Sequence, residues 1–290
     1  MKKNGSVQKV RIRRGFSAQL FLLLIAIYSL FPVYWLVVSS TKSGASLFGS
    51  FALWFDRPTD FFENLTATLS YDNGIYLTWL QNTIFYALTA GVGATLISLF
   101  AGYAFSKFDF KGKTLAMLVV LGAVLVPYTA LAVPLFLLLA EIGMVNSPWA
   151  FILPSMVNPL GVYLIKIYCD ASLPNELIEA ARLDGASEWR TLFKIGVPLL
   201  VPGMITVFLF TVVQTWNNFF LPLVVLTDPK LYPLTVGLAS WNDQATSGGG
   251  AQILFPLVIT GALIAIIPLI ALFLSLQRYW QSSLALGSGK

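Results

Sequence analysis

Residues 176–198 read ELIEAARLDGASEWRTLFKIGVP, and they differ in kind from the sequence on either side. They carry seven charged residues, Glu176, Glu179, Arg182, Asp184, Glu188, Arg190 and Lys194, in a chain with 18 basic and 13 acidic residues. The spacing predicts two short helices. Pro174 suits a first helical position, and Glu176 and Glu179 fall in the first turns, where the helix dipole favours acids. Asp184-Gly185 reads as a stop, because glycine enters the left-handed region without a Cβ clash. Ser187 can cap a second helix that has Glu188 in its first turn. Trp189, Leu192 and Phe193 follow at i, i+3 and i+4, and Pro198 closes the unit. A plain connection needs none of this. Such a pair needs a surface for its apolar face: the protein's own helix ends, lipid, or a partner.

On both sides the chain is apolar. It is 57% hydrophobic and 11% charged, far below the quarter or so that is charged in soluble domains. A bilayer is the solvent this composition suits. Six apolar runs predict spanning helices near 18–38, 77–105, 115–139, 149–165, 200–226 and 253–276, none of them containing Lys, Arg, Asp or Glu. The expected organisation is a basic stretch at 1–17, a six-span membrane domain at 18–276 with the charged loop at 172–198, and a tail at 277–290. Fifteen of the 18 basic residues lie on one side of this arrangement, leaving Lys42, Arg57 and Lys230 on the other. The positive-inside rule then places both termini in the cytoplasm. The first run is too long for a signal peptide, and no small-residue cleavage site follows it.

Several chemistries lack their residues. There is no histidine and one cysteine, Cys169, so no metal site, His-based triad or internal disulfide is expected. Basic residues divided among separate loops argue against a nucleic-acid partner. Gly112-Lys113-Thr114 ends like a phosphate-binding loop, but Lys107 stands where the first glycine should be. Asn64-Leu65-Thr66 fits the glycosylation pattern and is read as chance. Ala90, Ala94, Ser98 and Gly102 recur every four residues, a stripe that lets helices approach closely.

The charged stretch resembles the EAA motif of ABC importer permeases. Glu179-Ala180-Ala181, Asp184-Gly185, Ile195 and Pro198 occupy its positions, with Val197 where leucine is usual. The resemblance extends from about residue 20 to the end. TWNNFFLPLVVLTDPKLYPLTVGL (215–238) is similar to carbohydrate permeases of the maltose-transporter, MalG-like branch, with Asn217-Asn218-Phe219 in place of the frequent N-E-F. It implies an all-α, six-span type I importer permease in a bacterial or archaeal inner membrane. It implies a MalF-like second permease in a heterodimer, two ATP-binding subunits that use ATP and magnesium, and an extracytoplasmic solute-binding protein. This chain would bind no cofactor and catalyse no reaction.

The resemblance assigns coupling roles within the loop. Glu179 would contact the ATPase surface, Ala180 and Ala181 would permit close approach, and Gly185 would allow the turn. Arg182 is placed to pair with Glu179 at i, i+3. Asp184 and Pro198 bound the motif, and Trp189 and Phe193 either fill the ATPase cleft or brace the segment on its own spans. For the solute path, Gln214, Trp216, Asn217 and Asn218 offer amides and an aromatic face suited to sugar hydroxyls and rings, with Tyr128 and Asn158 beside them. The competing use of these amides is interhelical hydrogen bonding. Trp241, Asn242 and Asp243 lie in a connection that the resemblance turns towards the binding protein. An ion-coupled carrier of a neutral solute is the rival reading, though such carriers commonly hold ionisable groups inside their spans.

Overall fold

The computed structural model describes residues 16–287, with side chains from 18 to 277. The basic residues at 2–14 and Lys290 fall outside it. The described residues form helices and turns with no strand, as lipid demands of a chain whose backbone groups must pair internally. Among the described residues, five helices are long and apolar enough to cross a membrane, or six if one bent pair counts as a single span.

The first helix, α1 (Phe16–Ser40), is apolar all round and largely exposed, and it lies against the last helix. A short α2 (Gly44–Gly49), capped by Ser43, turns the chain back. This corner is tied by Asn64, whose Nδ2 donates to the carbonyls of Ser40 and Lys42 at 2.9 Å each. That amide is buried and committed, so the glycosylation pattern there has a structural use. The helix α3 (Phe61–Lys107) runs the length of the molecule. It breaks near its start, where Asp72, Asn73 and Gly74 have φ of 47°, 56° and 79°.

The run expected as the third span is α4 (Lys113–Val124), a 3₁₀ turn at Tyr128–Leu131 and α5 (Ala132–Glu141), bent by 99°. Pro127 stands at the bend, and a residue without an N–H cannot carry the helical ladder across it. The next span divides into α6 (Pro148–Ser155) and α7 (Pro159–Ser172). The charged stretch holds α8 (Asn175–Leu183) and α9 (Glu188–Thr191). A π turn, Leu192–Gly196, then carries it into α10 (Val197–Trp216). The bond from Val197 N to the Leu192 carbonyl spans five residues, a widening that precedes Pro198, which has no N–H to donate. After α11 (Phe220–Val225) comes α12 (Leu234–Ser247), where a loop was expected. The last described element is α13 (Ala251–Gly287).

At the centre α3 packs against α7 and α10. Ala90, Ala94, Ser98 and Gly102 are all buried there. A Cβ on Gly102 would lie 2.7 Å from Ile165 and 2.9 Å from the Lys166 backbone nitrogen. The small stripe therefore serves packing within the chain. Beyond its break at Gly74, α3 runs about 50 Å to Lys107 at 1.5 Å per residue, and the two regions described next lie at the ends of this stretch.

Candidate functional site

The charged stretch hangs from the bundle by few contacts. Ile178 and Leu192 are buried in a cluster with Leu99, Tyr103, Ile165, Cys169 and Leu173, and Ala181 is buried too. The other faces are open: Leu183 is 89% exposed and Trp189 64%. Gly185 has φ +76° and nothing near its α-carbon, so glycine is required here for the turn alone. Ser187 Oγ accepts from the Arg190 N–H, the predicted cap. Glu179 and Ala180 face outward, whereas Ala181 faces the bundle. Of the two alanines expected to permit close approach, only Ala180 is therefore exposed. Asp184 and Pro198 are exposed.

Arg182 does not pair with Glu179. Its Nε donates to Glu188 Oε1 at 2.7 Å, joining α8 to α9 across the Gly185 turn. This bond raises the guanidinium pKa above its ordinary value. The partner six residues on is nearer because the glycine turn folds α9 back towards α8. Trp189 and Phe193 stack with centroids 6.1 Å apart, and both meet Phe100 of α3 edge-on, at 5.7 and 6.3 Å. They brace the segment and still present an open face. Sequence reasoning missed the anchor at the base. Lys107, the last residue of α3, donates to the Leu173 carbonyl and to Asn175 Oδ1, while Ser106 and Lys166 both hold Asp170. The signal was a cation closing one predicted span opposite the start of the next charged segment.

A second feature is a cleft of about 630 Å³ among α4, α7, α10 and α13. Its walls are apolar, with Tyr128, Asn158 and Gln214 as polar groups. A narrow notch beside it gathers Tyr128, Ser155, Gln214, Thr215 and Asn218. Three of the six expected path residues thus line the cleft, and Asn218 joins two of them in the notch. Their hydrogen bonds separate them. Asn158 is tied on both sides of its amide, Nδ2 donating to Thr211 Oγ1 and Oδ1 accepting from the Gly161 N–H as a helix cap. Tyr128 donates to the Pro154 carbonyl at 3.0 Å. Asn217 points its Nδ2 at the Val213 carbonyl of its own helix and does not line the cleft. Asn218 Oδ1 accepts from the Leu221 N–H. Trp216 is 7% exposed and faces away, into a cluster with Trp79 and Trp241.

Trp241 is also buried, at 2% exposure, against Tyr71, Tyr76 and Trp79. It faces inward from α12, so of the three residues assigned to an external connection only Asn242 and Asp243 are exposed.

Residues 94–285 match the family model described as "Binding-protein-dependent transport system inner membrane component". The chain belongs to this family. Its members are transport permeases, which agrees with a chain that has a cleft between its spans. Relatives are similar along nearly the whole permease. An arabinooligosaccharides transport system permease protein of Halalkalibacterium halodurans is 33% identical, over 92% of this chain and 93% of its own. A galactooligosaccharides transport system permease protein of Bacillus subtilis is 32% identical, over 97% and 98%. A trehalose/maltose transport system permease protein of Thermococcus litoralis is 31% identical, over 92% and 94%. In architecture the permease is similar to a chain of a bacterial ABC transporter that imports the acidic polysaccharide alginate. The TM-score is 0.79 at 22% identity, over 97% of this chain and all of that one. This likeness shows the fold of an ABC importer permease.

Proposed function

We propose that the permease forms the membrane path of an ATP-driven importer for a sugar or oligosaccharide delivered by an extracytoplasmic binding protein. The observation that carries the coupling half is the α8–α9 unit. It is anchored by Ile178, Ala181, Leu192 and Lys107, yet it leaves Leu177, Leu183, Trp189 and Phe193 open. An apolar face on a projecting, charged segment fits the cleft of a separate ATP-hydrolysing subunit, which uses ATP and magnesium. Two such subunits serve two permeases. The relatives above carry sugar transport in their names, and the cleft with Gln214 and Tyr128 has the mixed apolar and hydrogen-bonding lining that suits sugars.

The second permease is a MalF-like homologue. The basic loops put both termini and the α8–α9 unit in the cytoplasm of a bacterial or archaeal cell. The test is uptake of a panel of neutral oligosaccharides by the reconstituted complex, with and without ATP. ATP-dependent accumulation of at least one, and co-purification of an ATPase that is lost on Gly185→Val, are the expected results. Accumulation by the purified chain alone, driven by an ion gradient, would overturn the proposal in favour of a carrier.

A further inference from the structure

At the far end of α3 from the coupling unit lies a second cavity, of about 540 Å³, lined by Tyr71, Asp72, Trp79, Tyr232, Ser240 and Gln244 among others. Its size falls within the range of small-molecule sites. It is separate from the membrane-level cleft and shares no lining residue with it.

Three observations set it apart from an accidental dent. First, its walls are held rigidly. Trp79 Nε1 donates to the Pro229 carbonyl at 2.8 Å, and Asn82 Nδ2 donates to the carbonyls of Lys230 and Tyr232 at 2.8 and 3.1 Å. The Leu234 N–H donates to Thr83 Oγ1, and Tyr86 Oη donates to the Leu231 carbonyl. A stripe at i, i+3, i+4 and i+7 of α3 thus pins the 229–234 connection that forms one wall. Second, the rim carries the backbone break of α3. Asp72 and Asn73 are both left-handed, a conformation uncommon outside glycine that aspartate and asparagine reach more readily than other residues, and such outliers cluster at ligand sites. Third, the polar groups are open. Asp72 and Gln244 are exposed, and among the described residues neither side chain has a hydrogen-bond partner in the chain, while the rings of Tyr71 and Tyr232 are half-buried beside them.

Half-buried aromatic faces beside a carboxylate and an amide suit one ligand chemistry well: rings that carry hydroxyls on their edges and C–H bonds on their faces. Cationic ligands would also answer to the carboxylate, but one acid beside an amide and a serine leaves most of the polar lining for hydroxyls. The geometry points to an outer saccharide subsite that receives an uncharged oligosaccharide before it enters the cleft. This rests on the sugar reading above. The carboxylate at the rim adds a selectivity: a uronic-acid oligosaccharide is repelled by Asp72.

The test uses the full complex, both permeases and both ATPases, in lipid nanodiscs without binding protein. Equilibrium binding of radiolabelled maltotriose, arabinotriose and galactotriose is measured, with trigalacturonate as the charged probe. ATP-driven uptake by the same preparation in proteoliposomes, with binding protein, is measured alongside. Gln244→Ala, an exposed position that leaves the fold untouched, and Tyr71→Ala are each expected to weaken neutral trisaccharide binding at least fivefold. Asp72→Asn is expected to admit trigalacturonate. Wild-type uptake with no trisaccharide binding, or with binding that Gln244→Ala and Tyr71→Ala both leave unchanged, would overturn the subsite and leave the sugar reading standing. No uptake of any sugar would remove the sugar reading itself, and this subsite with it.

Discussion

The two ends of α3 are held by different means. At the coupling end, a few aliphatic side chains and a set of partly exposed polar contacts carry two short helices whose outer faces stay open. At the other end, Tyr76, Trp79, Trp216 and Trp241 are buried together, and side-chain donors on α3 pin a backbone wall. The first arrangement is cheap to displace, since exposed polar contacts cost little to exchange for water. The second is costly, since moving a buried indole leaves a cavity. On the proposed function, a part that follows a partner and a part that keeps its shape differ in how their contacts are paired with solvent.

The comparison is broken hardest by Trp241→Ala. Removing a buried indole should cost roughly 3–5 kcal/mol, seen as a large fall in the thermal unfolding temperature of the detergent-solubilised complex. An unfolding temperature close to wild type would show that the aromatic cluster is not a rigid socket. Gly185→Val probes the other end. A β-branched residue at φ +76° is disfavoured by about 1–2 kcal/mol or more, while open space around the α-carbon spares the bundle. The expected result is uptake lost or severely reduced, ATPase dissociated, and the unfolding temperature of the spans little changed. Gly185→Ala should be milder in the same assays, and full uptake by both variants would remove the turn from the coupling path.

How much of this was legible in the sequence follows the same division. The α8–α9 unit was readable because caps, stops and amphipathic spacing are local: Ser187, Gly185 and the Trp189–Phe193 periodicity act within one turn of themselves. The spans were legible from their length and polarity. The partner of Arg182 was not, because the choice between Glu179 and Glu188 depends on how a left-handed glycine folds α9 back. The burial of Trp241 was hidden too, since an aromatic in a polar, glycine-flanked stretch reads as a loop residue until α3 is set beside it. Of the expected path residues, Gln214 and Tyr128 reach the cleft and the notch, whereas Trp216 turns away. Hydrophobic periodicity is weak in a helix apolar on every face, so the sequence of α10 does not reveal which side looks inward.

Lys107→Met sharpens the contrast at smaller amplitude. It removes the donors to the Leu173 carbonyl and Asn175 Oδ1 while keeping the length of the side chain. A net loss of about 1 kcal/mol is expected from such part-buried contacts. The informative reading is the ratio of ATP hydrolysed to sugar transported. A slackened anchor should raise that ratio with little change in ATPase activity, whereas a purely structural contact would lower both rates together.

The smallest effect belongs to the Arg182–Glu188 bridge. Both side chains are more than two-fifths exposed, so most of their attraction is screened by water and salt. Arg182→Gln and Glu188→Gln should each leave the unfolding temperature almost unmoved. A double-mutant cycle on uptake at low salt should detect a coupling between them that disappears at physiological salt. Because the bridge raises an arginine pKa that is already far above neutral, Arg182 stays charged from acid to strongly alkaline pH, and uptake should show no titration from this group near neutrality. A coupling that survives high salt would mean the pair becomes buried when the ATPase docks, and the lever would then be held as firmly as the socket at the opposite end.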